Sequence, residues 1–302
     1  MRKFIIIPPI KLTFSKSINT WLICCFCCLS ATSHAYEVGS RILATGGVTQ
    51  VEGSAGSGIV PWAVLSGYGQ EDEWGGGFFA TYVNTDDYDL SAVGVSVAVN
   101  NRVEVSLATQ ILDIDAIAQP LGLPDNELKQ TIAGVKVRLF GDLIYTTLPQ
   151  VSVGVQYKKN TDFDVPALTG AKDDDGVDFY VAATKLWLAG INGYPLLLNA
   201  TVRSTKANQL GLLGFGGDLD DGRSLMFEGS LGLLLRRDLV VGMDYRQKPN
   251  NLSFAKEDDW MDFFVAWFPN KHLSITGAWT ELGDIASKTD QNGLYFSLEG
   301  SF

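Results

Sequence analysis

The chain is dominated by a two-residue hydrophobic period. Val103, Val105, Leu107 and Ile111 alternate with Arg102, Glu104, Ser106 and Gln110. Val151, Val153, Val155 and Tyr157 alternate with Ser152, Gly154, Gln156 and Lys158, and Leu239, Val241, Met243 and Tyr245 with Gly242, Asp244 and Arg246. Successive side chains of a strand point to opposite faces, so each run has one greasy and one polar side. No helical period is sustained anywhere. The pattern predicts strands near 77–85, 89–99, 102–112, 130–140, 150–159, 177–188, 196–205, 224–235, 238–246, 260–268, 272–281 and 293–302. Two more are predicted at 41–51 and 59–68, in a Gly-rich stretch containing Pro61. Read as a first hairpin, that stretch raises the count from 12 to 14. Read as a segment folded inside, it leaves the count at 12. The expectation favours 14.

The connections alternate in length. Those at 100–101, 141–149, 189–195, 236–237 and 269–271 are short; those at 113–129, 160–176, 206–222, 247–259 and 282–292 are long. A sandwich has irregular crossovers. An up-and-down membrane barrel has short turns at one end and long loops at the other. The final strand fits such a barrel. Leu294, Phe296, Leu298 and Phe302 share one face and Tyr295, Ser297, Glu299 and Ser301 the other. This alternation, ending on an aromatic residue, resembles the closing strand of bacterial outer-membrane β-barrels. In that family the strand is the signal read by the insertion machinery. The fold expected is therefore an all-β, transmembrane, antiparallel up-and-down barrel of 12–14 strands, with short periplasmic turns and long outer loops.

Charge sharpens the picture. The 302 residues carry 34 acidic against 23 basic side chains, a net charge of −11. That balance argues against a nucleic-acid partner, whose phosphates need a basic surface. The acids collect in the long loops, while Arg102, Lys136, Arg138, Lys158, Arg203 and Arg246 lie on polar strand faces beside Glu104, Glu228 and Asp244. Facing inward, these nine would line either a wet pore or an ion-paired plug. Lined as a pore, the basic ones would draw anionic solutes; paired, they would cancel. Trp62, Tyr157, Trp187, Trp260, Phe268 and Trp279 fall near strand ends, where interfacial aromatic girdles belong.

Residues 1–35 have the form of a cleaved export signal: basic residues, a short apolar core at 21–29, and Ser33-His34-Ala35. The expected domain layout is a signal at 1–35 and a single barrel at 36–302, with 36–76 as a Gly-rich hairpin or lumen segment. All four cysteines (Cys24, Cys25, Cys27, Cys28) lie in the signal, so the exported chain has no thiol chemistry.

Candidate chemistry is sparse. The runs Asp173-Asp174-Asp175 and Asp218-Leu219-Asp220-Asp221 could hold Ca²⁺ weakly, but neither has EF-hand spacing. They read better as solvated loops, with divalent ions bridging them to lipopolysaccharide phosphates as a further option. The stretch at 211–217, GLLGFGG, lacks a phosphate loop's ending and reads as an apolar loop tip able to fold inward. His272, the one histidine of the exported part, follows a short turn, far from the outer rim. No catalytic residue, enzyme activity or cofactor is expected.

Several stretches resemble a family of proteobacterial outer-membrane proteins known only as a domain of unknown function: GGVTQVEGSAG at 46–56, DFYVAATK at 178–185, ANQLGLLGFGGD at 207–218, YRQKPNNL at 245–252, EDDW at 257–260 and AWFPNK at 266–271. The resemblance implies fold and location and assigns no chemistry. The expected function is a passive, porin-like channel for small hydrophilic solutes in the outer membrane of a Gram-negative bacterium. The alternative is a plugged barrel with a structural or surface-interaction role, and the third reading is a barrel enzyme. Expected partners are outer-membrane lipid, lipopolysaccharide and the insertion machinery, with small solutes if a channel. The sequence leaves oligomeric state open.

Overall fold

A computed structural model describes residues 41–121 and 126–302. The proposed signal segment lies outside the described residues. Among the described residues two short strands come first, β1 (Val48–Thr49) and β2 (Ala55–Gly56), which pair with each other and with no barrel strand. They are followed by β3 (Trp74–Thr85), β4 (Asp89–Val99), β5 (Val103–Asp113), β6 (Glu127–Phe140), β7 (Gln150–Asn160), β8 (Asp175–Ile191), β9 (Tyr194–Thr205), β10 (Ser224–Arg236), β11 (Leu239–Arg246), β12 (Trp260–Asn270), β13 (Leu273–Glu281) and β14 (Asn292–Ser301). These form a closed antiparallel barrel in which each strand pairs with its sequence neighbours. Closure comes from β14 against β3, from Gly293 opposite Thr85 to Ser301 opposite Gly77. The helices among the described residues are brief: α1 (Asp115–Leu121), α2 (Asp164–Leu168) and a 3₁₀ turn at Asn208–Gly211.

The barrel thus has 12 strands, and the preference for 14 is corrected. All five long connections lie at one end of the barrel, with one short turn, 86–88, among them. The two-residue period decides which side chains face out. Val93, Val95, Val105, Leu107, Val135, Val155, Val181 and Val265 are all exposed on the outer face. Such an apolar exterior on a closed ring, which leaves no strand edge unpaired, is what a bilayer requires. Leu294 and Phe296 continue this face, Leu298 is half-buried on it, and Phe302 is exposed at its end. Tyr157, Trp187 and Trp279 also point outward, whereas Trp62, Trp260 and Phe268 are buried inside and belong to no girdle.

Several strands outrun their apolar cores. β6 begins at Glu127, three residues before the alternation becomes apolar, and Glu127 pairs with Lys129 at 3.0 Å on the exposed side. Ladder bonds continue there because neighbouring strands supply partners whatever the side chain.

Residues 41–68 do not join the wall. They enter from the short-turn end and fill the interior, and nearly every side chain from Ala44 to Tyr68 is buried. Val51, Ile59, Val60, Trp62, Val64 and Leu65 lose almost all contact with solvent, each contributing roughly 1.5–3 kcal/mol. All of these but Leu65 share one cluster with inward-facing Phe79, Leu90, Leu112, Phe264 and Ala278. A barrel strand must show one face to lipid. This stretch has no such face, because its glycines carry no side chain and its apolar residues from Ala44 on are used inside.

Candidate functional site: the occupied lumen

An irregular segment buried inside a barrel has backbone groups without ladder partners, and each must be satisfied. Here the polar wall does it. Glu299 accepts from the Thr49 amide at 2.7 Å, and Glu104 from the amides of Ala55 at 3.2 Å and Ser66 at 2.8 Å. Lys136 donates to the carbonyls of Ala55 and Val64, both at 2.8 Å. Gln110 donates to Val51 O, while Gln150 and Ser152 both donate to Ala63 O. Thr184 accepts from Ala63 N and Thr201 donates to Pro61 O. The Trp62 indole donates to Ser230 Oγ at 2.8 Å. The inward face is polar in order to hold a peptide, and its residues come from strands all round the ring.

Charge is concentrated at the tip of the segment. Glu52 is fully buried. One carboxylate oxygen meets Lys158 Nζ; the other meets Arg246 Nη1 at 2.8 Å and Arg203 Nη2 at 3.5 Å. Two wall acids complete the cluster. Asp178 lies 2.7 Å from Lys158 and 3.3 Å from Arg203, and Glu228 pairs with Arg203 and lies 3.5 Å from Arg246. The six charges balance. Arg203 also stacks over Tyr180 with 5.2 Å to the ring centre and donates to Gln156 at 2.7 Å. Towards the short-turn end, Lys136 pairs with Glu104 at 3.3 Å.

Of the nine residues expected to face a lumen, Glu104, Lys136, Lys158, Arg203, Glu228, Asp244 and Arg246 are buried inside. The other two do not reach it. Arg102 is exposed in the turn between β4 and β5, and Arg138 is half-buried near a barrel mouth, donating to Gly141 O at 2.8 Å. Arg102 lies past the last ladder pair of β4 and β5, which corrects its assignment to an inward ladder, and Arg138 keeps the inward phase opposite Ser152 but at the mouth. Glu52 was not among the sequence candidates. The available signal was an acid standing alone in a Gly-rich stretch, opposite a surplus of inward bases.

The opposite mouth is closed by the loop after β9. Residues 207–217 are buried, and their carbonyls are tied to the wall: Leu210 O accepts from Lys158 at 3.0 Å and Gln130 at 3.3 Å, and Leu212 O from Asn160 at 3.2 Å. Gln209 and Leu210 take left-handed backbone angles, φ 45° and 63°, at a cost for non-glycine residues. Lys248 of the next long loop braces this tip, donating to Gln209 at 3.0 Å and pairing with buried Glu257 at 3.1 Å. Burial lowers the Lys248 pKa and raises that of Glu257. A gap beside Trp62 and Phe264 and another beside Leu212 and Trp260 hold ≈ 20 Å³ each, about one water molecule.

The acidic runs are dispersed among different partners. Asp174 pairs with Lys159 at 2.5 Å, and Asp175 lies 3.9 Å from the same amine. Asp221 pairs with Lys206 at 2.6 Å, with Asp173 at 3.9 Å. Asp218 accepts from the Ser253 amide at 2.9 Å and from its hydroxyl, which lowers its pKa, and Asp220 accepts from Gly222 N at 2.7 Å. Among the described residues no three His, Cys, Asp or Glu side chains converge on a metal position. His272 Nδ1 lies 3.2 Å from Ser301 O at the short-turn end.

Residues 45–299 match the family described as "Protein of unknown function (DUF3034)". The chain belongs to the DUF3034 family. The match takes in the interior segment as well as the barrel. No curated protein matches the chain. Among solved structures, this DUF3034 barrel is similar to the KdgM porin (TM-score 0.46, 8% identity, 75% of this chain and 99% of that one). It is also similar to Omp33 of Acinetobacter baumannii (TM-score 0.44, 10% identity, 77% and 99%) and to outer membrane phospholipase A of Escherichia coli (TM-score 0.39, 10% identity, 75% and 91%).

Proposed function

We propose that the protein is a porin-like outer-membrane channel for small hydrophilic solutes, shut by its own N-terminal segment. The observation that carries this reading is the way residues 41–68 are held. They are joined to the barrel by side-chain bonds and by one chain connection, not by ladder pairing with its strands. A segment held so can leave without opening the ring. The wall left behind is polar and charged, which suits water and solutes. In this reading the short turns face the periplasm and the long acidic loops face outward. The loop at 206–217 forms a second, outer constriction.

A disulfide lock tests it. Ser57 Oγ in the segment lies 3.3 Å from Ser230 Oγ on β10. Serine-to-cysteine substitution at both positions should allow a bond between them. In planar bilayers the reduced protein should open and the oxidised protein should stay shut. Silence of both, from protein shown to be folded and inserted, would sink the channel and leave the alternative: a permanently plugged barrel whose outer loops act at the surface.

A further inference from the structure

Glu52 occupies a place built by the wall. Lys158, Arg203 and Arg246 come from three different strands and are all buried. Their positions do not depend on Glu52. Asp178, Gln156, Glu228 and the Tyr180 ring hold Arg203; Asp178 and Leu210 O hold Lys158; Glu228 steadies Arg246 at Nε. If the segment withdraws, the three bases keep only the two wall acids that pair with them, Asp178 and Glu228, and one carboxylate place among them is vacated. Arg246 Nη1 loses both its acceptors, Glu52 and Ile59 O, while Lys158 Nζ and Arg203 Nη2 each lose one contact and keep their wall partners. Together they leave a set of donors suited to a planar carboxylate.

We infer that Lys158, Arg203 and Arg246 form a binding site for a small monoanionic carboxylate solute, and that Glu52 is its tethered occupant. The inference rests on the channel reading and names its solute class. The one vacated carboxylate place matches one carboxylate. Asp244, two residues before Arg246 on the same inner face and with no ion-pair partner among those described, disfavours a second negative charge on the solute. Glu52 therefore does two things: it holds the segment in and keeps the site from outside anions. A carboxylate arriving in the lumen competes for the same donors and weakens the hold.

The test uses the full exported chain with Glu52→Ala in planar bilayers, with acetate as probe and glucose as control. The variant should open more often than wild type by more than about tenfold, since one buried partner of three bases is gone. Acetate should reduce its chloride current in a saturable way, and glucose should not. Adding Arg246→Gln should keep the openings and remove the acetate effect. If Glu52→Ala does not fold, Glu52→Gln, which removes the same charge but keeps the side chain's shape, replaces it with the same readouts. The inference is overturned if the variant opens no more than wild type, or if acetate acts no differently from glucose, while the reduced Ser57/Ser230 cysteine protein conducts. If that protein is also silent, the channel reading itself fails.

Discussion

Asp244 and Asp262 stand directly opposite each other on β11 and β12, both buried in the barrel interior. Neither has an ion-pair partner among those described, and Arg246, nearby on β11, is taken by Glu52 and Glu228. Like charges directly across a strand pair are unfavourable. Asp262→Asn removes one of them and gives Asp244 a donor. The expected result is a gain of about 1 kcal/mol, read as a higher urea midpoint in detergent micelles. A lower midpoint would mean that both carboxyl groups are needed as they stand.

Lys136 is the short-turn-end counterpart of the Glu52 cluster. Replacing it by Met strips donors from two carbonyls of the interior segment and leaves Glu104 buried without its base. The cost should be about 3–5 kcal/mol, seen in urea titration. Proteinase K should also cut within 50–68. Adding Glu104→Gln should recover part of the loss, because no uncompensated charge remains. An unchanged midpoint for Lys136→Met would show that the segment is held elsewhere.

Gly154 on β7 faces Tyr180 on β8, and a Cβ at 154 would sit 2.1 Å from the Tyr180 ring. Gly154→Ala therefore forces the ring away from Arg203 and should destabilise by about 1–3 kcal/mol. In a Tyr180→Ala background the same substitution should cost almost nothing. Equal costs in both backgrounds would rule out the ring as the cause.

Acid should loosen one rim contact first. Asp87, in the turn after β3, accepts from Lys288 at 3.0 Å and from Gln291 at 3.0 Å across the seam. These bonds lower its pKa, the Lys288 bond most. A lowered carboxyl pKa stabilises the fold above its unfolded value, and that stability is lost as pH falls through the folded value. Amide exchange in 282–291 should therefore quicken below about pH 4. In Asp87→Asn it should already be fast at pH 6, with less change on acidification. An acid response as large in Asp87→Asn as in wild type would assign it to other groups.

The wall was legible in the sequence because lipid is a uniform solvent. It demands an apolar residue at every second position, and Val93, Val105, Val155 and Phe296 supply one wherever the outer face passes. The interior segment was not legible, since its partners are individual side chains remote in sequence. Thr49 bonds Glu299, and nothing near Thr49 announces it. Its local pattern is that of a weak strand, which is why 41–51 and 59–68 read as an extra hairpin. The inward charges were visible, but whether they faced water or a plug depended on Glu52, one acid whose partners lie more than 100 residues away. Arg102 misled because alternation carries no information beyond the last ladder pairs, and Arg138 because a residue of inward phase at the last regular ladder pair sits at the mouth rather than in the lumen.

Phe302 exchanges backbone bonds with Gly76, at 2.9 and 3.0 Å, where the last strand meets the first. The interior segment leaves the barrel at this same seam, and a Cβ on Gly67 would lie 2.6 Å from Phe302 O. The part of the chain enclosed by the ring is therefore made before the ring, and the pair that completes the ring is made last. Filling an open, curling sheet and then sealing it needs no threading. The first filling therefore needs no passage through a finished mouth, which becomes the segment's route out and back in the channel reading only after the ring is sealed. Order of synthesis and order of enclosure agree here, so the join between the first and last strands also fixes the moment at which the interior becomes sealed.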